Sequence, residues 1–178
     1  MLDLQIPSTA EIWDEAEETF VMMPEGIIHL EHSLVSLSKW ETMHKKPFLT
    51  KEPKTSDEFV DYIQCMDLGP RQERAVYVTM MKHHEEINNY IETQFTATTI
   101  KSSGKKSNEQ ITSELIYYWM VASTIPFECQ YWHLSRLMTL IDVCNVKNGP
   151  EKKMSQAEIM QQNKALNEAR KAKYNTKG

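Results

Sequence analysis

Along most of this chain the apolar positions fall at helical spacing. The densest run is 111–148, ITSELIYYWMVASTIPFECQYWHLSRLMTLIDVCNVKN. Within it Ile111, Leu115, Tyr118, Trp119 and Ala122 recur at three- and four-residue steps, which sets them on one helix face, and Ile116 and Met120 widen that face. Pro126 lacks a backbone donor and pushes Ile125 out of the helical region, so the first helix is predicted to end there. Proline suits the first turn of a helix, so a second helix is predicted to start at once and to turn Phe127, Tyr131, Leu134, Leu137, Met138, Ile141 and Cys144 inward. Ser107-Asn108-Glu109-Gln110 has the form of a capping box for the first helix, and Asn148-Gly149-Pro150 stops the second. This pair is expected to form the core, with Trp119 and Trp132 inside it.

Upstream, Leu34, Leu37, Trp40 and Met43 make a stripe on a helix over 33–45. Thr55-Ser56-Asp57-Glu58 is a capping box that opens a helix carrying Phe59, Tyr62, Ile63 and Met66, and Gly69-Pro70 breaks it. Residues 71–82 read two ways. Arg71 to Ala75 fits a short helix, while Val76-Tyr77-Val78-Thr79 leans towards strand. Ile87, Tyr90 and Ile91 predict a helix over 84–94. Near the start, Leu2-Asp3-Leu4-Gln5-Ile6 alternates as a half-buried strand does. Residues 19–23 and 26–32 are expected to pair as a hairpin through Pro24-Glu25-Gly26, with Glu11 to Glu18 an exposed acidic connection. Past Pro150, Ile159, Gln162, Leu166 and Ala169 form a thin stripe on a polar helix, which buries little against its own domain and should project. The prediction is a mainly α chain: a helical domain with a small N-terminal β-hairpin or sheet and a projecting C-terminal helix. Its parts are an acidic β segment over 1–32, a helical core domain over 33–148 and a basic helical arm over 149–178.

Composition supports a packed core, with 40% hydrophobic residues in 178. No run approaches the roughly 20 apolar residues that span a bilayer, and the acidic start lacks a signal pattern, so a cytoplasmic location and no membrane partner are expected. Three cysteines, an odd number on apolar stretches, read as reduced core thiols. The net charge of −5 hides a polarity: residues 1–32 carry eight carboxylates and no Lys or Arg, whereas 146–178 carry eight cations against three carboxylates, net +5. Such ends can attract each other within or between subunits, and a homo-oligomer is expected. The acidic balance disfavours nucleic acid as a partner, and only Tyr174 in the basic arm offers a ring to stack on a base.

No residue set carries catalysis. Cys129 and His133 stand four apart on an expected helix, but a zinc site needs at least three protein ligands, and Cys65, Cys144, His83 or His84 would complete one only by a coincidence of the fold. His83-His84-Glu85-Glu86 lacks the spacing that places two imidazoles on one helix face, and neither a phosphate-cradling glycine loop nor a GxSxG elbow occurs. Neither catalytic residues, nor a metal, nor a cofactor is expected. The candidate residues are partner-binding ones. Trp40, Phe48 and Leu49 suit a surface anchor stiffened by Pro47. Lys152, Lys153, Ile159, Leu166, Arg170 and Tyr174 line the arm.

Three segments resemble a family of small tailed-bacteriophage proteins. They are Leu30-Glu-His-Ser-Leu-Val-Ser-Leu-Ser-Lys-Trp-Glu41 with Lys46-Pro-Phe-Leu49; Glu114-Leu-Ile-Tyr-Tyr-Trp-Met120 with Ile125-Pro-Phe-Glu-Cys-Gln130 and Trp132-His133-Leu134; and Lys152-Lys-Met-Ser155 with Tyr174-Asn-Thr-Lys-Gly178. The residues quoted are 41 of the 178, about a quarter of the chain, while 7–20 and 67–86 add nothing to the match. The resemblance is to the tail assembly chaperones, or to virion components encoded beside them. It implies a non-enzymatic role in the host cytoplasm during infection: binding the helical tape measure protein and recruiting tail subunits. The alternative it implies is a virion subunit of the tail, baseplate or connector, linked to its neighbours by the C-terminal arm.

Overall fold

The computed structural model describes residues 1–6, 11–14, 18–22, 26–99, 110–148 and 156–174 of the 178. The chain is mainly α. Its elements run β1 (Leu2–Ile6), β2 (Glu11–Asp14), β3 (Thr19–Met22), β4 (Gly26–Leu30), α1 (Leu34–His44), α2 (Ser56–Met66), α3 (Arg74–Thr79) with a 3-10 turn over Met80–His83, α4 (His84–Glu92), α5 (Ser113–Ala122), a 3-10 turn over Phe127–Tyr131, α6 (Leu134–Asn148) and α7 (Gln156–Tyr174). Two compact units divide at Asn145 and Val146.

The strands pair otherwise than expected. β4 lies antiparallel to β1, with Leu4 opposite Ile28, and β2 pairs with β3, with Trp13 opposite Phe20. Strand 26–30 therefore does not form a hairpin with 19–22, and the segment read as an acidic connection holds a strand. The reason is burial. Pairing β1 with β4 puts Leu4, Ile6, Ile28 and Leu30 on one face of the sheet, and all four enter the core.

Ser33 caps α1 reciprocally with Ser36, and Lys45 closes the helix in the left-handed region (φ 54), its N–H donating to Glu41 O at 2.8 Å. The predicted stripe of α1 is buried at Leu34, Leu37 and Trp40 but not at Met43, which is exposed. The Thr55–Glu58 capping box opens α2 as expected, and Val60, Tyr62, Ile63 and Met66 are buried. Residues 74–79 are helical despite their β-branched content. Val76, Tyr77 and Met80, at helical spacing, all reach the core, and this burial overrides a strand preference that is weak by comparison.

α5 starts later than predicted. Thr112 is its cap, its hydroxyl accepting from Leu115 N at 3.4 Å, and the capping box proposed at Ser107–Gln110 falls mostly outside the described residues. Its inward face also differs: Ser113, Ile116 and Met120 are buried, while Tyr118 and Ala122 are exposed. A helix that is apolar nearly all round does not encode its own orientation, and contact with α1 decides it.

The end of α5 is a Schellman turn. Thr124 N–H donates to Val121 O (3.1 Å), Ile125 N–H donates to Met120 O (2.8 Å), and Thr124 itself is left-handed at φ 56. The second predicted helix is split. After Pro126 the chain makes only a 3-10 turn, then forms an isolated bridge between His133 and Ser33, and Leu134 N–H donates to His32 O at 2.7 Å before α6 begins. Leu134, Leu137 and Ile141 of α6 are buried, whereas Phe127 and Tyr131 face outward.

Candidate functional site

Trp40 and Phe48 are not the surface anchors the sequence suggested. Trp40 is fully buried, its indole N–H donates to Glu58 O at 2.8 Å, and the Phe48 ring stacks on Tyr62 with centroids 3.9 Å apart and meets Trp40 edge-on at 5.0 Å. The extended Pro47-Phe48 segment folds back over the core because every ring it carries gains more by burial than by exposure. Leu49 alone of the three remains partly exposed. Lys54 donates to Phe48 O and sits 4.7 Å over its ring, and Lys46 pairs with Glu58, so cations fix this loop from outside.

The interior holds two polar devices. Glu41, buried on α1, accepts from Phe48 N–H at 2.8 Å with one oxygen and from Ser113 N–H at 2.7 Å with the other. One carboxylate thus joins α1, the 47–48 loop and the amino end of α5, where a negative charge is favoured. The second device is a histidine pair. His32 and His133 are buried with ring centroids 5.1 Å apart. His32 Nδ1 is hydrogen-bonded to the Tyr62 hydroxyl at 2.5 Å, and His133 is hydrogen-bonded to Ser135 Oγ at 2.8 Å and to Tyr90 O at 3.2 Å. Burial, with the neighbouring His133 adding to it, pushes His32 down to about 3, and burial lowers His133 as well. Both rings are neutral structural pins near neutral pH.

Cys129 lies in the 3-10 turn and His133 in the bridge before α6, so they do not share a helix as expected. Burial raises the Cys65 thiol to about 11, which leaves it protonated and a weak nucleophile. Among the described residues no group of three His, Cys, Asp or Glu side chains stands together as a metal site. Among them, too, no helix is long and apolar enough to cross a membrane.

What the structure does present is an apolar surface whose three rings, Tyr118, Phe127 and Tyr131, the periodicity assigned to the core. Tyr118 (65% exposed), Val121 (61%), Phe127 (54%) and Tyr131 (60%) all stand outward along α5 and the following 3-10 turn. Beside them runs a groove of about 400 Å³ between α1 and this turn, lined by Val35, Ser38, Lys39, Thr42, Tyr117, Gln130 and Tyr131. Its far wall is held in shape by the Tyr117 hydroxyl, which donates to Gln130 Oε1 at 2.9 Å. The Phe127 ring stands 6.3 Å from Tyr117. Rigid rings thus stand beside a groove whose lining includes the polar side chains of Ser38, Lys39, Thr42 and Gln130. The one signal that flagged it was the excess of apolar positions on 111–131, more than a single buried face accommodates.

The arm residues are placed by α7, described by itself. Leu166, Arg170 and Tyr174 are all exposed on it. Lys152 and Lys153, and the side chain of Ile159, lie outside the described residues. Set against protein-family models, curated proteins and solved structures, the chain matches none.

Proposed function

We propose that this chain is a non-enzymatic tail-morphogenesis protein of a tailed bacteriophage, acting in the host cytoplasm as an assembly chaperone. Its partner in this reading is an amphipathic helical segment of the tape measure protein, which it keeps soluble while tail tube subunits are recruited. The observation that carries it is the outward row Tyr118, Val121, Phe127 and Tyr131 beside the α1 groove, an exposed apolar surface of the kind that receives a helix. Of this surface, Tyr118 and Phe127 fall within the motifs that resemble the tail assembly chaperones, Glu114–Met120 and Ile125–Gln130.

Co-expression tests it. The tape measure protein is expected to remain soluble with this chain and to precipitate without it. Phe127→Ser with Tyr131→Ser is expected to weaken the complex by about tenfold or more, since exposed aromatic anchors carry a large share of interface energy. A tape measure protein equally soluble with and without the chain sinks the reading. The second reading, a subunit kept in the virion, is favoured by the separate cationic unit at 146–178. Mass spectrometry of mature particles separates the two: a fixed copy number supports the virion subunit, and absence from particles supports the chaperone.

A further inference from the structure

The β2–β3 hairpin carries an uncovered face. Its register sets Glu11 opposite Met22 and Trp13 opposite Phe20, so these four side chains share one side of the ribbon, and all four are exposed. Trp13 and Phe20 meet edge-on with centroids 5.0 Å apart. A two-stranded ribbon is marginal alone, and one that turns a tryptophan, a phenylalanine and a methionine to solvent has the composition of an interface centre. The surrounding charge is of one sign, with eight carboxylates and no Lys or Arg in residues 1–32.

The complementary surface is encoded at the other end of the same chain. Leu166, Arg170 and Tyr174 follow one another at four-residue steps on α7 and so form one stripe, apolar, cationic and aromatic, with Lys171 and Lys173 beside it. Residues 146–178 carry net +5.

We propose that α7 of one copy lays this stripe across the β2–β3 face of a second copy. Leu166 and Tyr174 pack on Trp13, Phe20 and Met22, while Arg170 and its lysine neighbours lie in the field of Glu11 and Glu18. A second copy, rather than a foreign protein, is the occupant because both halves of the match, opposite in charge and alike in apolar content, belong to this one sequence. Two different patches meet, so the contact closes as a reciprocal arm exchange between two copies or continues as a larger ring or a filament. It is independent of the tape measure reading and is tested with the purified chain alone.

The experiment is sedimentation of the full chain and two variants, singly and mixed. The hairpin variant is Trp13→Ser with Phe20→Ser; the arm variant is Leu166→Gln with Arg170→Glu and Lys171→Glu. The full chain is expected to self-associate at about 0.1 M salt and to dissociate towards monomer at about 1 M, where screening shortens from roughly 10 Å to 3 Å. Each variant alone is expected to associate at least about tenfold more weakly. Mixed in equal amounts, they are expected to form a one-to-one dimer, because each retains the half that the other lacks. Phe20→Thr, which keeps strand propensity, replaces the hairpin variant if that one melts early. A full chain that is monomeric at low salt overturns the proposal, as do variants that associate like the parent. A mixture that stays monomeric while the parent associates overturns it too, because the parent's contact would then lie elsewhere than between hairpin and arm.

Discussion

Glu41 shows how a single buried charge can organise three segments. Both of its oxygens accept from backbone N–H groups, at Phe48 and at Ser113, the latter 72 residues away in sequence. Glu41→Gln keeps the shape but turns an amide donor towards a backbone donor, so a loss of about 2–3 kcal/mol is expected in urea unfolding. A loss under about 0.5 kcal/mol would show that the carboxylate is incidental. His32 makes a prediction in pH. Folded, its ring stays neutral down to about 3; unfolded, it takes a proton near 6.5. The unfolded state therefore binds more protons between those values, and the stabilisation present above 6.5 is lost as pH falls towards 3, at up to about 1.4 kcal/mol per pH unit. His133, lowered in the same way, adds to the slope. Unfolding free energies at pH 7, 6 and 5 should decline less steeply in His32→Gln, and parallel curves would refute the assignment. Neither residue could be read from the sequence in this role. Glu41 sits in a helical stripe with nothing to mark it as buried, because its partners are backbone atoms of distant segments.

At the scale of elements, legibility was best where local pattern and burial agree. α2 begins at its Thr55–Glu58 box and α4 lies within 84–94. α3, the strand pairing and the inward face of α5 were misread, and each depends on what lies opposite rather than on local spacing. The hinge after α5 illustrates a subtler limit. Pro126 signalled the break, but the turn itself is made two residues earlier by Thr124, a β-branched residue held at φ 56. Left-handed backbone costs a β-branched residue about 1–2 kcal/mol, and glycine occupies it freely. Thr124→Gly is thus expected to stabilise the protein by about 0.5–1 kcal/mol after glycine's larger unfolded-state entropy is subtracted. Thermal unfolding checks it, and a lower midpoint would show that the Thr124 side chain is doing something the turn geometry does not reveal.

For the molecule as a whole, the sequence indicated a helical body and a charged arm, but it mislocated the exposed aromatics. Trp40 and Phe48 were offered as candidate surface anchors and are inside; Tyr118, Phe127 and Tyr131 were expected inside and are outside. Periodicity ranks faces by apolar content, and where two faces are nearly equal, only the assembled neighbours choose between them. The division into units leads to a last prediction. The core hydrophobic residues all lie between Leu4 and Ile141, within the first unit, and every described side chain of α7 is exposed. A helix of 19 residues with so thin a stripe has little stability of its own in water. Ending the chain after Asn148 keeps α6 whole and, among the described residues, removes none of the core. The shortened chain is expected to unfold cooperatively at the parent's midpoint, within about 1 kcal/mol, because exposed residues contribute little to stability. Its helical circular dichroism per molecule should fall by no more than the share due to α7. Self-association, by contrast, is expected to disappear. A broad, non-cooperative melt would place 149–178 within the folding unit, and an intact melt with intact self-association would remove the arm from assembly altogether.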